Sequence, residues 1–113
     1  MFERIIDLAR EEEKYRSDPL STARAVKEVA ESLLGEVRVY LFGSVVEGAD
    51  TPSSDLDIMI VSSRTPKSVG ERSKLVAEIL KEVGVDAPIE LHLLRPEEEE
   101  WYLRFSKKRV EVK

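Results

Sequence analysis

The chain has 113 residues, 42% hydrophobic and 36% charged, and its 18 Lys and Arg stand against 23 Asp and Glu for a formal net charge of -5. That length predicts a single domain, residues 1–113, and the acidic balance argues against binding to bulk DNA. The lack of cysteine excludes disulfides and thiolate metal sites, and the single histidine excludes a multi-histidine metal site.

The sequence carries no pattern typical of export or of membrane insertion. Its first residues, Met1–Lys14, combine acids with an amphipathic pattern, whereas a signal peptide has a basic flank and an apolar stretch. No apolar run approaches the ~20 residues that a membrane span needs. We therefore expect a cytoplasmic protein that makes no membrane contact.

Hydrophobic periodicity predicts two helices at the start of the chain. The first covers Met1–Arg16. A second follows Asp18 and Pro19, an N-cap acid and a proline suited to the first helical position, and runs to Leu34. Gly35 then stands where a helix C-cap glycine belongs.

The rest of the chain alternates predicted strands with predicted helices. The helices are Ser68–Val83 and a short acidic segment that Pro96 opens and that runs through Trp101 and Phe105. The strands, rich in β-branched and aromatic residues, are Val37–Phe42, Leu56–Val61, Ile89–Leu94 and a short Val110–Val112. This order indicates an α/β fold with a small mixed β-sheet flanked by helices.

The segment between the first two strands combines an anion-binding pattern with a metal-binding pattern. Gly43 and Ser44 directly follow a strand, and a tight turn there can direct backbone N–H groups and the serine hydroxyl at a phosphate. Ten residues later, Asp55 and Asp57 stand at the mouth of the next strand. Residues two apart on a strand share a face, so these carboxylates are suited to Mg²⁺.

A further acid, Glu90, lies in the strand Ile89–Leu94, on the face opposite the apolar residues, together with His92. If that strand neighbours the one that carries Asp55 and Asp57, three carboxylates meet. Such a cluster can hold two divalent cations ~3.5–4 Å apart for in-line displacement at phosphorus. Ordinary polar alternation on a half-exposed strand is the alternative explanation of Glu90. We expect His92 to be a half-buried polar residue rather than a catalyst.

The spacing Gly43-Ser44, ten residues, Asp55-x-Asp57 resembles the signature of the polymerase-β-like nucleotidyltransferase superfamily. In size the chain resembles the minimal nucleotidyltransferases, or MNT proteins. The resemblance implies a nucleotidyltransferase fold in which Gly43 and Ser44 bind the nucleotide phosphates. It also implies that Asp55, Asp57 and Glu90 are the metal ligands and catalytic residues, with Glu90 as the general base at a position where aspartate is common.

The activity implied by the resemblance is Mg²⁺-dependent transfer of a nucleoside monophosphate from a nucleoside triphosphate, ATP above all, to a hydroxyl. A chain this short leaves no room for an acceptor domain. The acceptor site is therefore expected on a second copy or on another protein. In the minimal family, the resemblance implies a helical HEPN-type partner in a toxin–antitoxin pair, with this domain as the antitoxin.

The rival hypothesis is a non-catalytic nucleotide-binding or partner-binding module. Paired carboxylates argue against it, because binding alone has no physical need for them. Outside this motif the structural interpretation is favoured: the acids Glu97–Glu100 suit a helix N-terminus, and Trp101 and Phe105 suit a core. The basic cluster Arg104–Arg109 is expected to be solvated charge, with contact to a triphosphate or RNA left open.

Overall fold

The computed structural model describes residues 15, 17–48, 55–84, 87–104 and 108–113. In chain order its elements are α1 (Pro19–Leu34), β1 (Arg38–Phe42), α2 (Ser44–Glu47), β2 (Leu56–Val61), α3 (Val69–Val83), β3 (Ile89–Leu94), α4 (Pro96–Leu103) and β4 (Arg109–Glu111). The predicted helix Met1–Arg16 lies outside the described residues except for Tyr15. No helix within the described ranges is long and apolar enough to cross a bilayer.

The four strands of the described chain form one sheet in the order β3-β2-β1-β4. Strand β1 pairs antiparallel with β2 and with β4, whereas β2 and β3 run parallel and are joined through α3. The predicted small mixed sheet flanked by helices is therefore confirmed. In the register of this sheet, Asp57 lies opposite Phe42 on one side and beside Glu90 on the other.

The ends of α1 follow directly from the local sequence. The Asp18 carboxylate accepts a hydrogen bond from the N–H of Ser21 at 3.1 Å, which satisfies one of the donors left unpaired at a helix start. At the other end, Gly35 has a φ of 79° and donates its N–H to the carbonyl of Glu31 at 2.9 Å. Both signals were visible in the sequence.

The two faces of the sheet differ in how completely they are covered. Helices α1 and α3 cover the first face, where the main core lies: Ala23, Val26, Ala30, Leu34, Val39, Leu41, Ile58, Ile60, Ile79 and Leu93 are buried there. The second face carries a smaller cluster of Tyr40, Phe42, Met59, Val61 and Leu94, against which Tyr102 of α4 packs. Because successive strand residues face opposite sides, Asp57, Glu90 and His92 lie on the second face, which we call the open face.

Ion pairs hold α4 across the open face. Glu99 binds Arg38 at 3.0 Å and Arg109 at 2.8 Å, and Glu98 binds Arg72 of α3 at 2.9 Å. Burial by itself raises the pKa of Glu99, but its hydrogen bonds to the two arginines outweigh burial, and the net pKa is lowered. Glu98 also accepts the N–H of Arg95 at 2.8 Å at the start of the helix, which is the role the sequence indicated, whereas the ion pairs with arginines were not predicted.

The expectation that Trp101 belongs to the core is wrong. Its side chain is 57% exposed and meets the neighbouring Tyr102 ring edge-on, with centroids 5.5 Å apart. Helix α4 ends at Leu103 and turns the half-buried Tyr102 towards the sheet, so the residue that packs there is Tyr102 rather than the expected Trp101. Phe105 lies outside the described residues.

Candidate functional site

A glycine turn between β1 and α2 forms one side of the candidate site. Gly43 has a φ of 76°, in the left-handed region that favours glycine. A Cβ built on Gly43 would overlap the carboxylate of Asp57. Glycine is therefore required here both by the backbone conformation and by the close approach of an acid. Ser44 follows as the first residue of α2.

A cluster of Asp57, Glu90 and His92 forms the floor of the site. One potential ligand atom from each of the three side chains lies within 4.8 Å of the other two. The Nε2 atom of His92 is 3.4 Å from Oδ1 of Asp57 and 3.8 Å from Oε1 of Glu90. The parallel pairing of β2 with β3 brings the two carboxylates together, since it places Asp57 beside Glu90. The two acids that the sequence assigned to separate strands are thus neighbours.

The cluster is open to solvent on one side and closed on the other. Glu90 is 62% exposed, whereas Asp57 is 23% exposed and His92 is 20% exposed. The Phe42 ring meets the His92 ring edge-on, with centroids 5.0 Å apart. A ligand can therefore reach the carboxylates from solvent while aromatic groups close the site from behind.

Asp55 is placed apart from this cluster. It is exposed, directly precedes β2, and is not one of the three residues whose ligand atoms converge. Of the three predicted metal ligands, the structure thus brings Asp57 and Glu90 together and leaves Asp55 outside the cluster. Joint metal binding by Asp55 and Asp57 stays a prediction, as do the phosphate contacts of Gly43 and Ser44.

Sequence reasoning missed Tyr102 as a member of the site. Its hydroxyl lies 3.3 Å from Nδ1 of His92, and the two rings meet edge-on with centroids 5.7 Å apart. Burial, reinforced by the charges of Glu98 and Glu90, raises the pKa of Tyr102 above its usual value, so the hydroxyl keeps its proton. Nothing in the sequence separates Tyr102 from the adjacent Trp101; only the packing of α4 does.

The donor set of the cluster fits a divalent cation. Two carboxylates this close repel one another, and a bound cation converts that repulsion into attraction. Carboxylate oxygens and a neutral imidazole nitrogen are both common ligands of divalent metals. The carboxylates of Asp57 and Glu90 would hold such an ion.

Comparison with known proteins gives two kinds of match. A family model described as a nucleotidyltransferase domain matches residues 23–112. The crystal structure of a proposed nucleotidyltransferase is 30% identical, with a TM-score of 0.66 over 80% of this chain and 96% of the other. A second such crystal structure, from Sulfolobus solfataricus, is 24% identical and shares the fold, with a TM-score of 0.60 over 94% of this chain and 83% of that one. The search of curated proteins found no match.

Proposed function

This chain belongs to the nucleotidyltransferase domain family, and we propose that it moves a nucleoside monophosphate from a nucleoside triphosphate to a hydroxyl group. Family membership makes the chain a transferase enzyme. The observation that carries the finer proposal is the pairing of β2 with β3, which sets Asp57 beside Glu90 under the Gly43 turn. Asp57, a candidate metal ligand, is thereby in contact with the candidate phosphate-binding turn.

The triphosphate, with ATP as the first candidate, is proposed to lie against Gly43 and Ser44. The close approach of Gly43 to Asp57 supports this placement, because phosphates at the turn would lie next to the carboxylate. Asp55, Asp57 and Glu90 are proposed to hold the divalent cation, with Mg²⁺ as the first candidate. When bound, that cation neutralises phosphate charge and lowers the pKa of the attacking hydroxyl.

Glu90 is the proposed general base. It is the more exposed of the two clustered acids, so an acceptor hydroxyl can approach it from solvent. The acceptor oxygen forms a bond to the α-phosphorus as the bond from that phosphorus to the bridging oxygen breaks, and pyrophosphate leaves. The hydroxyl proton passes to Glu90. A carboxylate in this role contributes about 10²–10⁴-fold to the rate.

The acceptor is proposed to be carried by another protein chain, either a helical HEPN-type partner with this chain as its antitoxin or a second copy. A groove of about 400 Å³, lined by Val69, Arg72, Leu91, His92 and Tyr102 among others, supports this proposal because it offers room next to His92 of the cluster. Two apolar side chains near this groove are exposed: Val69, which lines it, and Trp101, whose ring meets that of Tyr102. Nucleoside triphosphates are cytoplasmic metabolites, so the cytoplasm is the proposed compartment.

Label transfer tests the proposal. The full chain is incubated with Mg²⁺ and α-³²P-ATP, alone and with the product of a co-expressed neighbouring gene, and γ-³²P-ATP serves as the control. We expect covalent α-label on an acceptor, no γ-label, and a loss of 10² or more in Asp57→Asn. Glu111→Gln, an exposed acid on β4, should behave as wild type. Transfer of γ-label would contradict the proposal, and binding of ATP without any transfer would favour the non-catalytic module.

A further inference from the structure

The imidazole of His92 is held as a metal ligand would be, although the motif that identifies the family contains no histidine position. The proposed metal site accounts for the carboxylates of Asp57 and Glu90. It does not account for a ring nitrogen directed at both of them. The distances, the partner of the other ring nitrogen and the packing of the ring each bear on its role.

The distances suit ligands of one cation. Nε2 of His92 lies 3.4 Å from Asp57, a long hydrogen bond, and 3.8 Å from Glu90, beyond hydrogen-bond reach. Metal–ligand distances of about 2.0–2.2 Å place adjacent ligands around one ion about 3.0–3.5 Å apart. The first distance is within that range, and the second needs a shift of only a few tenths of an ångström.

The other ring nitrogen is already partnered. Nδ1 of His92 lies 3.3 Å from the hydroxyl of Tyr102, which can accept its proton. Metal-binding histidines nearly always donate the proton of the remote nitrogen to such an oxygen, which leaves the near nitrogen with a free lone pair. Edge-on contacts with Phe42 and Tyr102 fix the ring plane. Aromatic packing and the hydrogen bond thus orient Nε2 towards the carboxylates.

We propose that His92 supplies a nitrogen ligand to the divalent cation beside Asp57 and Glu90, and that the site therefore binds Mn²⁺ with a preference over Mg²⁺ that depends on His92. This inference rests on the proposed function for the location of the cation. Imidazole suits first-row transition ions, whereas Mg²⁺ favours oxygen ligands and keeps several waters. Without the ring, the remaining carboxylates would discriminate less between the two ions.

His92 is the only histidine of the chain, which has no cysteine, so a histidine nitrogen signal at a bound metal can come only from His92. Protein without a histidine tag is loaded with Mn²⁺ and studied by pulsed electron paramagnetic resonance, with natural histidine and with ¹⁵N-histidine. We expect nitrogen modulation that changes with the isotope. Its absence with Mn²⁺ bound, or failure of Mn²⁺ to bind, would overturn the inference.

Calorimetric titration supplies the second readout. His92→Gln should lose about tenfold or more in Mn²⁺ affinity and less than about threefold in Mg²⁺ affinity. Tyr102→Phe should weaken Mn²⁺ binding while retaining the nitrogen signal, and Tyr40→Phe, whose hydroxyl accepts from Arg38, is the matched control. Equal losses for both ions in His92→Gln would overturn the inference. Assaying α-label transfer on the same samples separates the two proposals, since transfer without a nitrogen signal refutes only the ligand role of His92.

Discussion

At the scale of single residues, the tightest constraint in the site is the approach of Gly43 to Asp57. Two glycines in this region have nearly the same positive φ, 76° at Gly43 and 73° at Gly48, but different surroundings. A Cβ at Gly43 would overlap Asp57, whereas a Cβ at Gly48 would meet nothing within 4 Å. The pair therefore separates the cost of backbone strain from the cost of displacing the carboxylate.

Gly43→Ala and Gly48→Ala should accordingly differ in both stability and function. Each carries a left-handed backbone penalty of about 1–2 kcal/mol. Gly43→Ala must in addition displace Asp57, so we expect a larger loss of unfolding free energy and a loss of metal and nucleotide binding. Urea unfolding and Mg²⁺-ATP titration measure the two effects. If both variants bind nucleotide equally well, the claim that the Gly43 turn and Asp57 act together in nucleotide binding is wrong.

The proposed role of Glu90 as a base can be tested separately from its proposed role as a metal ligand. Glu90→Gln keeps the shape of the side chain and removes its capacity to take a proton. We expect affinity for Mg²⁺-ATP to stay within about tenfold while the transfer rate falls by about 10²–10⁴-fold. Single-turnover kinetics alongside equilibrium binding measures this split. Equal losses of binding and rate would make Glu90 chiefly a metal ligand. No loss of either would mean that Glu90 is only an ordinary polar residue on a half-exposed strand.

At the scale of elements, α4 decides which side chains complete the site. Glu99 is bound by Arg38 of β1 and Arg109 of β4, so it ties the helix to two strands. That anchoring places Tyr102 over the open face, in reach of His92. Loss of the Glu99 ion pairs should therefore affect both the stability of the fold and the order of the site.

Glu99→Gln should destabilise the protein in a pH-dependent way. The pKa of Glu99 is lowered from its ordinary 4.5, so its stabilisation is complete at neutral pH and is lost as pH falls through the lowered folded-state pKa. Charged hydrogen bonds of this kind contribute about 1.5–3 kcal/mol. Urea unfolding should show that deficit at neutral pH and a smaller one below about pH 4.

Glu97→Gln, in the same helix, is the control, because Glu97 is a far more exposed acid that pairs with Arg95. We expect little change in stability from it at either pH. A deficit in Glu99→Gln that is independent of pH would show that its charge is not what stabilises α4.

At the scale of the whole molecule, one face of the sheet is fully packed and the other carries a half-enclosed site. Val69, which lines the groove beside that site, and Trp101, whose ring meets that of Tyr102, are both exposed. Trp101 is the only tryptophan, so its fluorescence reports on this surface alone. Binding of an acceptor protein should bury the indole and shift its emission to the blue. Sedimentation as a strict monomer, together with efficient transfer to a free small hydroxyl compound, would refute the acceptor proposal.

Much of this arrangement could be predicted from local patterns. Alternation placed Asp57 on one side of β2 and Glu90 on one side of β3, and the Gly43 turn follows from its position after a strand. The pairing of β2 with β3 could be stated only as a condition, because neighbours in a sheet are chosen by long-range packing that periodicity does not encode. The rotation of α4 determines that Tyr102, and not Trp101, packs against the sheet. This rotation is likewise set by long-range packing.

The most direct test of the central claim is a nuclear magnetic resonance titration of the ¹⁵N-labelled chain with Mg²⁺ and a non-hydrolysable ATP analogue. The claim is that nucleotide and metal bind together where the Gly43 turn meets the ends of β2 and β3. We predict saturable shifts of the backbone amides of Gly43, Ser44, Asp57 and Glu90, lost in Asp57→Asn. Shifts confined to the α1 and α3 side of the sheet, or none at millimolar nucleotide, would contradict the account.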